Sequence, residues 1–239
     1  QSKVVIFDPD DGSNKVIAEL GLEDLDNLTV LAVDPDWEKF IAQYQQVRNV
    51  LAAGDWLCLD MLGRFWDKAQ EYYSQYVFGS SPIEHLMNLK KQTKSTSFGG
   101  FDGLTDWTII KRLHNEQLLD DAVLRAPFNV MATTSTANLL PIQKGPKPGT
   151  VEGIYQAEFG AKPEGEKHNI YRFDGQFFLY RRTIGGESKY FYRTVRDRGR
   201  PYNTKEEFDI TGIGFWARYK QTMESRGIKI AGGVDILTK

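Results

Sequence analysis

Residues 54–66 read GDWLCLDMLGRFW. A Gly–Asp turn leads into the apolar run 56–59, which stops at Asp60 and gives way to an aromatic stretch of helical spacing. A short apolar run bounded by turn residues is the pattern of a strand buried on both faces, as in a parallel sheet covered by helices. In open α/β sheets, ligands bind at the carboxyl ends of such strands, so Asp60 is a candidate site residue. Upstream, the β-branched run at 4–7 closes on the turn formers DPDDGSN, and LTVLAV at 28–33 is a second buried strand. A short helix is expected over 15–20. Between 37 and 53, Trp37, Phe40, Ile41, Tyr44, Val47, Val50 and Leu51 fall at helical spacing. A further helix over 64–76 carries Trp66, Ala69, Tyr73 and Val77 on one stripe.

Downstream, NLKKQTKSTSFGGFDG at 88–103 is polar, locally basic and glycine-containing, and is expected to be a mobile loop. Asp106 reads as the N-cap of a helix reaching Leu124, and FNVMATTS at 128–135 as a fourth buried strand ending in hydroxyls. A long, mostly polar connection over 136–167 follows, too long for a tight turn and therefore expected to be functional. From His168 the period becomes that of strands. NIYRFDGQFFLYRRT, GGESKYFYRTVRD and the terminal IKIAGGVDIL alternate and are joined by glycine turns. The expected fold is α/β in one domain over 1–239: a mostly parallel twisted sheet flanked by helices, with antiparallel strands at its C-terminal edge.

Composition narrows the function classes. The 239 residues are 41% hydrophobic and 26% charged, which supplies a full core. A net charge of −2 gives no global field toward nucleic acid or membrane, so any basic surface is local. The single Cys58 excludes an intramolecular disulfide and suits a reducing, cytoplasmic setting. No run approaches the roughly 18 apolar residues of a membrane span, and the N-terminus has no signal-peptide pattern. It also lacks an initiator Met, which suggests a trimmed start.

Asp8 and Asp10 follow the first strand, Asp60 the third, and Thr133 and Thr134 the fourth. One carboxylate there can hold Mg2+ through water while a second orients an attacking water. By themselves these residues also read as an Asx-type turn and a helix N-cap, or as a metal-dependent hydrolase site built on Asp8, Asp10 and Asp60. A phosphate loop of the form G-x-x-x-x-G-K-[ST] is missing: no Gly-Lys dipeptide occurs in the chain, and GPKPGT at 145–150 opens no helix. Arg196 and Arg198 share a strand face if the extended backbone continues, which suits bidentate contact to phosphate. Lys144, Lys147, Lys162, Lys167 and His168 could follow a nucleic-acid backbone, with Tyr155 or Phe159 available for stacking. Interleaved acids make a plain solvated loop the competing reading. His85, His114 and His168 lack zinc-ligand spacing, and no serine or cysteine nucleophile motif is present.

In this order the segments resemble the RecA-like P-loop ATPases, closest to the phage nucleotide-binding proteins of recombination and single-strand annealing. VVIFDPDDGSN (4–14) is similar to the family's second strand and turn, which implies Asp10 as the catalytic carboxylate. DWLCLDMLGRFW (55–66) looks like the Walker B strand, implying Asp60 as the acid associated with Mg2+. FNVMATTS resembles the sensor strand, whose terminal polar residue, Thr134 or Thr133, feels the γ-phosphate. The family's second DNA-binding loop would then be 136–167, and EGEKHNIYRFDGQFFLYRR (164–182) the strand after it. YFYRTVRDRGR (190–200) is similar to the strand whose basic residues, here Arg196 and Arg198, reach the neighbouring subunit's nucleotide. The resemblance implies ATP and Mg2+ as cofactors, single-stranded DNA as partner, and a homo-oligomeric ring or filament in the host-cell cytoplasm. The family's phosphate loop precedes the strand at Val4. Either that unit lies upstream of this sequence, or the loop is lost and the protein is a non-catalytic scaffold in a phage assembly.

Overall fold

The structure, a computed structural model, describes residues 2–93, 100–102, 104–138 and 149–229. Its contacts divide the chain into two units, residues 1–135 with 164–172, and residues 136–163 with 173–239.

The first unit is α/β. Strands β1 (Val4–Asp8), β2 (Leu28–Ala32), β3 (Trp56–Leu59) and β4 (Asn129–Ala132) form a parallel sheet in the order β2-β1-β3-β4. The helices are α1 (Gly12–Glu19), α2 (Trp37–Val50), α3 (Leu62–Phe78), α4 (Pro82–Thr93) and α5 (Asp106–His114). Asp36 caps α2 by accepting the Lys39 N–H at 3.0 Å, and Trp37, Phe40, Tyr44 and Val47 are the buried face that the spacing promised. Phe40 joins sheet to helix: its ring centroid lies 5.4 Å from Phe7 of β1 and 5.1 Å from Phe65 of α3. In α3 the buried face keeps Ala69 and Tyr73 of the expected stripe and adds Leu62, Phe65 and Ser74, while Trp66 is half-buried and Val77 exposed.

Two local expectations change, and a third holds. Residues 88–93, expected in a loop, are the last turns of α4; Lys90 and Lys91 there suit a helix C-terminus. Asp106 is the first residue of α5, preceded by Thr105, and its carboxylate accepts the Asp102 N–H and the Tyr73 hydroxyl, each at 2.6 Å. The helix does run on past residue 120, through two π-helical segments at Asn115–Leu119 and Asp121–Arg125.

The second unit corrects the sheet. The late strands do not edge the parallel sheet. They form their own antiparallel sheet of β7 (Gly175–Ile184), β8 (Glu187–Asp197) and β9 (Glu207–Asp209). Each face has a packing partner within the unit. On one face Tyr192 and Ile210 pack with Tyr219 and Met223 of α7 (Phe215–Ser225), a helix that follows the Gly212-x-Gly214 turn. On the other, Phe178 stacks on Phe159 at 4.6 Å and the Arg193 guanidinium covers Phe159 at 4.6 Å. The Gly185–Gly186 turn between β7 and β8 has φ of 61° and 85°, the left-handed pair a two-residue hairpin requires. The connection 136–167 is not structureless. It holds the pair β5 (Thr136–Asn138) and β6 (Ala161–Pro163), the short helix α6 (Val151–Ile154) capped by Thr150, and a π turn at Tyr155–Phe159. Of the expected terminal strand at 228–237, residues from 230 onward lie outside the described residues.

His114, at the end of α5, is fully buried, with Trp66 edge-on at 5.3 Å and its Nδ1 3.0 Å from Asn115 Oδ1. Burial, only partly opposed by the Asn115 bond and the charges of Glu166 and Asp120, holds its ionisation down at about 4. A histidine depressed in the fold contributes stability that is complete above its ordinary value and lost as pH falls toward the folded one. Between about pH 7 and about pH 5 that loss is about 2 kcal/mol. Urea denaturation should show this acid-side loss for the wild type and a flatter profile for His114→Gln.

Candidate functional site at the carboxyl edge of the parallel sheet

The ladder places the site. Phe7, Leu59 and Ala132 are level in register across β1, β3 and β4. The next residues, Asp8, Asp60 and Thr133, therefore form a polar row at one edge. Two backbone bonds extend the ladder into it, Asp60 N–H to Phe7 O and Thr133 N–H to Leu59 O, each at 3.0 Å.

The two aspartates of the row have different tasks. Asp8 is 3% exposed and faces the start of α1, accepting the Asp10 N–H at 3.0 Å and the Ser13 N–H at 2.6 Å. Burial pushes its carboxyl up, but the bonds from Ser13, Asp10 and Asp11 outweigh that and hold it below its ordinary value. Asp8 thus fills the helix-terminus site that would otherwise take an external anion. Here the Asx-turn reading is the right one.

Asp60 is not a helix cap. The N-cap of α3 is Met61, after a cis Asp60–Met61 peptide, and it makes no side-chain cap bond. The Asp60 carboxylate instead accepts the Thr133 hydroxyl through Oδ1, and Ser13 Oγ lies 3.5 Å from Oδ2, at the outer reach of a hydrogen bond. Asp60 thus sits between hydroxyls from β4 and α1. The adjacent Cys58 thiol is pushed up to about 12 by burial and by the Asp60 charge, so it is no nucleophile.

Around this pair the structure gathers residues that the sequence reading passed over. Arg64, in the first turn of α3, donates from Nε to Asp10 Oδ2 at 3.1 Å. Glu164 N–H bonds to Ser135 O at 2.9 Å, and the Ser135 hydroxyl reaches the Glu164 carboxylate. Thr134 Oγ1 donates to the Glu164 carbonyl at 2.9 Å, so it is Thr133 and not Thr134 that meets Asp60. The segment 164–172, expected to begin a strand, carries a single 3-10 turn at Asn169–Tyr171. It is held by the buried Glu166, which accepts the His168 N–H and pairs with the His168 ring and Arg172.

Other expected site residues are not brought together. Strand β8 ends at Asp197, so Arg196 is in the ladder opposite Gln176, whereas Arg198 lies beyond it, paired with Asp174 at 3.2 Å. Both belong to the second unit. Lys162 is exposed on β6 of the second unit and Lys167 is exposed in the first, while Lys144 and Lys147 lie outside the described residues. Tyr155 is buried, and Phe159 is half-buried, packed on Phe178 and the Arg193 guanidinium.

Among the described residues no group of three or more His, Cys, Asp or Glu side chains is placed to hold a metal ion. Asp8, Asp10 and Asp60 are therefore not such a group. Mg2+ asks for less, one or two carboxylates with water and phosphate oxygens completing the shell. The hard oxygens of Asp60, Thr133 and Ser13 fit that requirement. No helix among the described residues is long and apolar enough to cross a membrane. No protein-family model matches the chain, and no curated protein does either.

Asp8 is the structural member of the row, and its removal should be read in stability. Asp8→Asn should cost about 1–3 kcal/mol in urea denaturation at neutral pH, the range for losing charged hydrogen bonds in a buried setting. A depressed carboxylate contributes above its ordinary value of about 4 and is lost as pH falls through the folded value, so the deficit should shrink toward acid.

Proposed function

We propose that the chain is a RecA-like ATP-binding unit that acts on single-stranded DNA as a homo-oligomer, in phage recombination or annealing. The observation that carries this reading is Asp60 at the end of a central parallel strand, bonded by Thr133 from the next strand and approached by Ser13 from α1. Asp60 would hold Mg2+ through water, with the two hydroxyls turning their lone pairs to its shell. When bound, Mg2+ neutralises charge on phosphate oxygens. Asp10, two residues past β1, would orient the attacking water. Thr133 takes the sensing place that the resemblance offers to Thr133 or Thr134. Arg196 and Arg198 would serve a neighbouring subunit's nucleotide, and Lys144, Lys147, Lys162 and Lys167 the DNA backbone.

A second reading has its own support. The amino end of α1 is already filled by Asp8, and the sequence contains no Gly-Lys phosphate loop. Both features suit a degenerate, non-catalytic RecA-like domain in a phage assembly.

Calorimetric titration with ATP, with and without Mg2+, separates the two. The nucleotide reading expects Mg2+-dependent binding that Asp60→Asn weakens by roughly 10–100-fold, the usual effect of losing a metal-site group. Absence of ATP binding and turnover, with self-association retained, establishes the scaffold reading instead.

A further inference from the structure

Arg64 is the cation that the acid-and-hydroxyl site otherwise lacks. Asp60 meets the hydroxyls of Ser13 and Thr133, and Asp10 and Glu164 are the acids beside Arg64, so none of these residues but Arg64 is basic. A polyphosphate approaching these carboxylates meets charge of its own sign. The backbone of Arg64 is fixed close by: its N–H bonds to Met61 O at 3.1 Å, and Leu62 N–H bonds to Thr133 O at 2.9 Å. The first turn of α3 is thereby pinned to the end of β4. The side chain is about half exposed. It spends one donor, Nε, on Asp10, and among the described residues its two terminal nitrogens have no partner. Asp10, Asp67 and Glu164 are the charges that act on it, and all three are acidic. A guanidinium fork with both outer donors free matches two phosphate oxygens, which a lysine point charge does not.

We propose that Arg64 is the phosphate-binding residue of this site and that its bond to Asp10 is the resting half of an exchange. With the site empty, Asp10 holds the guanidinium in place. When a polyphosphate arrives, Arg64 turns its donors to the phosphate oxygens, and the Asp10 carboxylate is released to orient water. The one ion pair thus keeps both groups unreactive until the ligand separates them. This inference rests on the nucleotide reading and adds the residue that would recognise the phosphate chain.

The test is titration of the full chain with Mg2+ and tripolyphosphate, and separately with ATP, at low and moderate salt. Arg64→Ala should weaken tripolyphosphate binding by roughly tenfold or more, the loss expected for charged hydrogen bonds, and should flatten its salt dependence. Arg64→Lys should recover part of that loss. Asp10→Asn should move the other way, tightening binding by roughly threefold because Arg64 no longer leaves a charged partner, while it abolishes ATP turnover. A merely structural ion pair would lower the thermal midpoint equally in both variants and leave affinity unmoved. If the wild type binds and Arg64→Ala does not change affinity, or Asp10→Asn weakens binding as Arg64→Ala does, the exchange is wrong and the nucleotide reading stands. If the wild type binds neither tripolyphosphate nor ATP, the nucleotide reading falls and takes the exchange with it.

Discussion

Parallel pairing of β1, β3 and β4 holds Phe7, Leu59 and Ala132 level, and everything at the site follows from what comes one residue later. In that ladder Leu57 and Leu59 of β3 and Phe7 of β1 are fully buried. The apolar core therefore sets the height at which the chain becomes polar in three strands at once. Asp60 and Thr133 meet because the β3–β4 ladder sets their strands side by side, and the bond between their side chains joins two residues already level. The Asp60 N–H to Phe7 O and Thr133 N–H to Leu59 O bonds carry the ladder one step past the apolar limit.

Within that row, identical side chains diverge by what surrounds them. Asp8 and Asp60 each end or follow a strand, yet Asp8 faces the free N–H groups of α1 and is consumed by them. The next element at Asp60 starts at Met61 without a side-chain cap, so its carboxylate is left for hydroxyl donors. Hydroxyls can reverse their role, accepting where they had donated, and backbone N–H groups cannot. A site that must exchange an internal partner for an external ligand is better built on the second kind of aspartate. The same logic applies to Asp10, whose exposed pairing with Arg64 is weakly held, as ion pairs open to solvent are.

The parts of this architecture legible in the sequence are those set by local pattern. The four parallel strands and the buried face of α2 are apolar runs or 3.6-residue stripes, and a diglycine announces the β7–β8 turn. Asp60 and Thr133 were visible as strand-end residues for the same reason. What escaped depends on distance in sequence. Thr133 and Asp60 are 73 residues apart and Asp10 and Arg64 are 54 apart, so no spacing rule could bring either pair together. Sheet membership escaped likewise: alternation marks β7 and β8 as strands but is silent on which sheet they join. α7 went unread because its glycine-rich entry, Gly212 and Gly214, resembles a loop, and because its helix is stabilised by packing on Tyr192 and Ile210 more than by propensity.

The residues from 136 to 163 leave the first unit at Ser135 and return at Glu164, and the two ends are bonded to each other. The Glu164 N–H meets the Ser135 carbonyl, the Ser135 hydroxyl meets the Glu164 carboxylate, and one step further Thr136 pairs with Pro163 in the β5–β6 ladder. Closing a long loop costs entropy that grows only slowly with its length, and a zipped neck fixes that cost locally. The position of Thr133 is consequently set by β4 and by this neck. Gly165 reinforces the neck: at φ +104° its backbone approaches Gly63, and a side chain there would meet the Gly63 Cα at 3.6 Å. Segment 164–172 is thus the clasp that holds the end of β4 against the start of α3, and with it Thr133, Asp60 and Arg64 in one place.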